Sequence, residues 1–219
     1  GMVMPVAKRL RLLQWAKACG GIIIENDYDG EFRYNVKPTP SLQGMDQAGT
    51  VVYIGNFSKA FSPALRMNYT VLPPALLGRY LESFQAYPSP VPRLEQRAMQ
   101  LFMQKGYWEK HVRKMRTIYQ KKHAILLQAI ADHLHPHVTV LGHSVGLHIL
   151  LEVHTDRSEE ELIRIAAEAG VGVYPVGRNW QGPCGRQERP RIIVGFGGMR
   201  EEDISEGIRL LAAAWFGRC

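Results

Sequence analysis

Two short stretches hold the residue types from which covalent chemistry can be built. Asn26-Asp27-Tyr28 follows the β-branched run Ile22-Ile23-Ile24, and Asn56-Phe57-Ser58-Lys59 follows the apolar run Thr50 to Ile54. Each stretch therefore sits just past the carboxyl end of an expected strand, where open α/β sheets place their ligands. A lysine in such a crevice, desolvated or close to other cations, has a lowered pKa and attacks carbonyls as a neutral amine. Lys59 stands 32 positions after Asp27. Ser58 beside it and Arg66 seven positions on offer a hydroxyl and a guanidinium suited to a phosphate dianion. The plainer readings are a turn-capping Asp27 and a solvated surface Lys59, since Asp favours turns and lysines are mostly exposed.

The elements that must position these residues follow from periodicity. Val6, Leu10, Leu13 and Ala16 fall at helical spacing between basic residues, predicting an amphipathic helix over 5–19 that Gly20-Gly21 ends. Ile22 to Ile24 lacks alternation and predicts a central parallel strand covered on both faces. Thr50–Ile54 and Asn68–Leu72 are the next strands. Residues 75–135 read as helical, broken at Pro88, Pro90 and Pro92, with a long basic helix from about Tyr107 to Leu134. The Pro-rich break is the expected hinge between residues 1–90 and 91–219. Beyond it, strands over 138–141, 147–153, 171–174 and 192–196 alternate with helices over 159–169 and 201–216, a small α+β layer. Trp180 to Pro190 is the one long polar loop, expected to be mobile.

Composition excludes several classes. Of 219 residues 46% are hydrophobic and 21% charged, so the chain buries a core and is not disordered. No apolar run approaches membrane-span length, and Gly1 to Pro5 lacks the order of a signal peptide. Cys19, Cys184 and Cys219 are widely spaced with no CxxC pair, which fits reduced thiols and a cytoplasmic location. A formal net charge of +7 favours anionic partners without choosing among them.

The motifs, taken in order, resemble the aminotransferase-like domain of MocR/GabR-type regulators, within the fold-type I pyridoxal-phosphate superfamily. They are Ile24-Glu25-Asn26-Asp27-Tyr28-Asp29-Gly30-Glu31-Phe32-Arg33-Tyr34, Pro38-Thr39-Pro40-Ser41-Leu42-Gln43, Val52-Tyr53-Ile54-Gly55-Asn56-Phe57-Ser58-Lys59 and Pro63-Ala64-Leu65-Arg66. Further matches at His111 to Arg116, Gly146-Leu147-His148, Gly172 to Pro175 and Val194-Gly195-Phe196 extend the resemblance over essentially the whole chain. It implies an α/β fold: an incomplete large domain with a mainly parallel sheet and helices, then a small α+β carboxyl-terminal domain. It implies pyridoxal 5'-phosphate as cofactor, with Lys59 as its covalent anchor and Asp27 as partner of the pyridine nitrogen. Tyr28 would lie near the phenolic oxygen, and Ser58 and Arg66 would hold the phosphate. Arg191 is the candidate grip on a substrate α-carboxylate, with Arg178, Arg186 and Arg189 nearby.

The resemblance further implies a homodimer whose ligand is an amino acid or amine, sensed by a regulator through the lysine-bound cofactor. The alternative is a working aminotransferase passing an amino group between an amino acid and a 2-oxo acid. Relative to this family, the sequence lacks the upstream phosphate loop, the ring-stacking aromatic, a cofactor-contacting Asn and the winged helix that reads DNA. The expectation is an amino-terminally truncated chain with weak or no turnover and no DNA binding of its own. Asn56 replaces an expected threonine, and Asn68 replaces a glycine whose missing side chain permits close backbone approach. The basic cluster His111, Arg113, Lys114, Arg116, Lys121, Lys122 and His123 also has the footprint of nucleic-acid binding. Its interleaved Val112, Met115, Ile118, Ile125 and Leu126 predict a solvated helix face over a core instead. His133, His135 and His137 straddle Pro136 without a thiolate or carboxylate set and do not suggest a metal site.

Overall fold

The computed structural model describes residues 2–27, 30–34, 39–177 and 189–217. Two compact units divide the chain, one of Val3–Glu31 with Val36–Met115 and the other of Phe32–Asn35 with Arg116–Cys219 and the first two residues. The Pro-rich break at 88–92 separates two helices, and the division between units falls farther along, at Met115 and Arg116.

The first unit opens with α1 (Val6–Cys19), closed by Gly20 in the left-handed conformation at φ 65°, where a residue without Cβ is unstrained. β1 (Ile23–Asp27), α2 (Leu42–Met45), β2 (Val51–Asn56) and β3 (Asn68–Val71) follow, with a one-turn 3-10 helix at Pro63–Leu65. The strand order is β1-β2-β3, parallel between β1 and β2 and antiparallel between β2 and β3. Among the described residues β1 pairs with β2. Alternation sends successive side chains to opposite faces, and Ile24 is 68% exposed. A β-branched run reports strand propensity, whereas the number of pairing partners is set outside the run.

The unit continues through α3 (Pro74–Phe84), α4 (Arg93–Gln104) and the start of α5 (Tyr107–His133). Proline at the first position of α3 supplies the φ a helix start needs. Phe57, Met67 and Met99 form a buried cluster with Leu65, Phe102 and Trp108 against it. The Phe57 and Trp108 rings meet edge to face at 5.3 Å.

The second unit contains the rest of α5 and β4 (Val138–Gly142), β5 (His148–Val153), α6 (Glu159–Glu168), β6 (Tyr174–Pro175), β7 (Arg191–Gly195) and α7 (Glu201–Phe216). Its four strands are all antiparallel, in the order β4-β5-β7-β6. Period-two patterning is clean: Ile149, Leu151 and Val153 of β5 and Ile192 and Val194 of β7 are buried while their neighbours are not. Ser158 caps α6 by accepting the Glu161 N–H at 3.2 Å, with three glutamates in the first turn favoured by the helix dipole. Trp215 ties α7 to α6 by donating from Nε1 to the Leu162 carbonyl at 3.0 Å. The polar loop expected over Trp180–Pro190 lies, through residue 188, outside the described residues. Among those described, no helix is long and apolar enough to cross a membrane.

Candidate active site

Because β1 and β2 are parallel, their carboxyl ends open on the same edge of the sheet. Asp27 is the last residue of β1 and stands opposite Gly55 in register. Lys59 lies four residues past Gly55, on the turn that leaves β2. Asn56, the last residue of β2, stands opposite Asn68, the first of β3, and the Phe57 N–H donates to the Met67 carbonyl at 3.2 Å. Ser58 and Lys59 therefore leave one strand of this pair where Arg66 enters the other.

The turn is held on both sides. Phe57 and Ala60 are buried and anchor it, while Lys59 between them is exposed. The Asn56 side-chain oxygen, at the position of the expected threonine, accepts the Ser58 N–H at 3.2 Å. His111 Nε2 lies 2.8 Å from the Ala60 carbonyl; a carbonyl only accepts, so Nε2 carries the proton. Arg66 follows the 3-10 helix with φ 48°, alone among the described non-glycine residues in having a positive φ. Left-handed backbone costs an ordinary residue roughly 1–2 kcal/mol, so the chain holds an exposed arginine there at some expense.

Asp27 is half-buried and accepts a hydrogen bond from the Tyr53 hydroxyl at 3.0 Å. Burial, then the adjacent Asp27 carboxylate and Tyr69, push the Tyr53 phenol far above its ordinary range, so it is a lasting donor. Gly30 borders the carboxylate closely: a Cβ there would lie 2.3 Å from Asp27 Oδ1. The Tyr69 ring lies across Gly55, where a Cβ would come within 2.3 Å of the ring. Tyr53, Tyr69 and Phe57 form a continuous aromatic surface, with Tyr53–Tyr69 centroids at 6.1 Å and Phe57–Tyr69 at 5.8 Å.

Of the residues singled out from sequence, the first unit brings Asp27, Ser58, Lys59 and Arg66 to one end of one three-stranded sheet. Tyr28 lies outside the described residues. Arg191 belongs to the second unit, where it starts β7 opposite Glu152 of β5 and pairs with that carboxylate at 3.4 Å. Its Nε is buried and makes no hydrogen bond among the described residues. Tyr53, Tyr69 and His111 were not recognised as site residues. Tyr53 reaches Asp27 only through the parallel pairing of β1 with β2, which the sequence around position 53 does not announce. The basic face of α5 is partly engaged within its own unit: Lys121 pairs with Glu201 at 2.6 Å, and Lys122 donates to the Gly197 carbonyl at 3.2 Å. His137 stacks on Phe216 with centroids 4.7 Å apart.

No family model matches this chain. It is 43% identical over 217 residues to the HTH-type transcriptional regulator YhdI of Bacillus subtilis, covering 98% of this chain and 45% of that protein. It is 32% identical over 218 residues to the probable rhizopine catabolism regulatory protein MocR of Rhizobium meliloti, covering 98% and 43%. Against the 2-aminoadipate transaminase of Thermus thermophilus the identity is 28%, covering 98% and 54%. Among solved structures, the kynurenine aminotransferase of Pyrococcus horikoshii superimposes with a TM-score of 0.86 at 25% identity, over 98% of this chain and 52% of that one. LysN, the alpha-aminoadipate aminotransferase of Thermus thermophilus, gives 0.84 at 26% identity, over 99% and 56%. The chain thus spans about half the length of the curated relatives it matches. Its homologues are MocR-type regulators and aminotransferases, and its fold is that of about half a fold-type I aminotransferase, as the spaced motifs implied.

Proposed function

We propose that these residues form the lysine-bearing part of a pyridoxal-phosphate-dependent, aminotransferase-like domain of a MocR-type regulator, which senses an amino acid or amine. The observation that carries the reading is the placement of Asp27 and Lys59 at the carboxyl ends of two adjacent parallel strands, with Ser58 and Arg66 flanking the second. The match to regulators at 43% and 32% identity supports the regulatory context.

The donor set suits the cofactor. A carboxylate held by one hydroxyl ends β1, and the turn after β2 carries a primary amine next to a hydroxyl, with a guanidinium ahead of β3. Asp27 would pair with the ring nitrogen in its protonated form. Ser58 and Arg66 would hold the phosphate through charge-assisted hydrogen bonds. Lys59 Nζ would hold the cofactor's carbonyl carbon, and as an amine it would also be able to carry a proton there. When bound, the cofactor supplies the electron sink that makes such chemistry accessible. Lys59 and all of β3 are exposed, so a ring seated on these residues alone keeps water on its outer side, and turnover by this chain is expected to be low. In this reading it acts as a homodimer in the cytoplasm.

The similarity to a 2-aminoadipate transaminase favours a second reading, a working aminotransferase. One experiment bears on both. The purified chain is incubated with pyridoxal phosphate, reduced with borohydride and digested, and the tagged peptide is located by mass. The expected tag is on Lys59, and Lys59→Ala should lose both the tag and the visible absorbance band. Tagging spread over surface lysines, unchanged by Lys59→Ala, overturns the proposal. Fast amino transfer to a 2-oxo acid by the wild-type chain would favour the second reading over sensing.

A further inference from the structure

Asp27 is the residue on which recognition of the ring nitrogen would turn, and a single carboxylate on a strand end has rotational freedom to lose. Two contacts remove it. The Tyr53 hydroxyl donates to Oδ2 at 3.0 Å, and the Gly30 backbone closes in so tightly that a Cβ there would meet Oδ1 at 2.3 Å. Tyr53 is itself held: it lies on β2, paired in register with Glu25 of β1, and its ring neighbours Tyr69 across the Gly55 gap. Nothing in the sequence of Tyr53 alone marks it, since a strand tyrosine packs well for its ring.

We infer that Tyr53 is a positioning residue: its hydroxyl fixes the orientation of the Asp27 carboxylate, and Gly30 and Gly55 are glycines so that Asp27 and Tyr69 can occupy the adjoining space. The inference deepens the proposed function and rests on it for the identity of the ring. The phenol suits the task chemically. Held protonated by burial and by the neighbouring carboxylate, it donates without competing for a proton. A neutral donor to a charged acceptor makes a strong hydrogen bond without cancelling the acceptor's charge.

Two measurements test this. The first needs no cofactor. In a thermal-unfolding cycle of wild type, Tyr53→Phe, Asp27→Ala and the double variant, the two single losses should fail to add, the double variant unfolding no lower than the worse single one. Additive losses mean that the hydroxyl and carboxylate do not act together, and overturn the inference. The second compares titration with pyridoxal phosphate and with 1-deazapyridoxal phosphate, whose ring has no nitrogen. Tyr53→Phe should weaken pyridoxal phosphate about tenfold and leave the deaza analogue within about twofold, because only the former uses Asp27. Equal loss for both probes identifies Tyr53 as merely structural and overturns the inference. No loss for either does the same, while leaving the lysine-bound cofactor in place. Failure of the wild type to bind either probe sinks the underlying reading instead, and the inference about the ring with it.

Discussion

Glu25 shows how much one side chain can organise beside a site without taking part in it. Its carboxylate accepts the N–H of Leu42 at 2.8 Å and of Gln43 at 3.0 Å, the first two residues of α2, and lies 3.4 Å from Arg9 Nη1. Arg9 in turn donates to the carbonyls of Met4 and Pro40. One mostly buried acid therefore ties α1, β1 and the segment before β2 together, two residues from Asp27 on the same face. Replacing it with alanine leaves two N–H donors and a guanidinium without their acceptor. Glu25→Ala should lower the unfolding free energy by about 2–3 kcal/mol, since bonds to a charged acceptor count for more than neutral ones. Glu25→Gln, which keeps one acceptor oxygen, should lose less. Urea unfolding followed by circular dichroism measures both, and an alanine variant within 0.5 kcal/mol of wild type, roughly the scatter of innocuous surface changes, would show the network to be incidental.

At the scale of elements, the second half of α5 carries a titratable group into a core. His123 is 4% exposed and stacks on Tyr34, with centroids 4.3 Å apart and planes 11° from parallel, and it faces His143 and Phe196 at 5.8 Å each. Burial is the main reason its pKa falls below the ordinary 6.5; the His143 charge adds to the fall and a backbone bond with His143 opposes it. A histidine whose folded pKa is depressed takes up its proton more readily when unfolded, so stability rises with pH across that window. The contribution is complete above about pH 6.5 and drains away as the pH drops through the folded value. The melting temperature should therefore decline on acidification below about pH 6.5, and His123→Phe, which keeps a ring against Tyr34, should flatten the decline. Parallel profiles for the two proteins would assign the acid sensitivity elsewhere.

Most elements of this unit were legible in the sequence, because buried β5 and β7 alternate and α6 and α7 start on acidic turns. The four-residue α2 was not, being too short to show a period. Nor does Ile22-Ile23-Ile24, which specifies a strand, say which strands lie beside it. The same limit applied at the site. Asp27 and Lys59 could be found from their places after apolar runs and from the motifs, whereas Tyr53 acquires its partner only through the parallel pairing of β1 with β2.

For the molecule as a whole, α3 raises a question of surface. Leu77, Tyr80, Leu81 and Phe84 recur at helical spacing, yet each is 44–51% exposed and no residue of α3 is buried. Tyr80 and Phe84 stack at 5.5 Å, and Tyr87, 72% exposed, continues the surface at 5.8 Å from Phe84. An exposed apolar face of this kind suits an interaction surface. The formal charge of +7 acts against self-association, since like-charged copies repel over a Debye length that salt shortens. Association through α3 should therefore be concentration-dependent and should strengthen as salt rises, the opposite of contacts built on ion pairs. Phe84→Glu should shift the chain toward monomer while leaving its melting temperature nearly unchanged, because the side chain it replaces is half in water already. Sedimentation velocity at low and high salt reads both effects. A chain that stays monomeric at every concentration, or one whose association ignores Phe84→Glu, would place the proposed dimer contact on another surface or deny it to these residues.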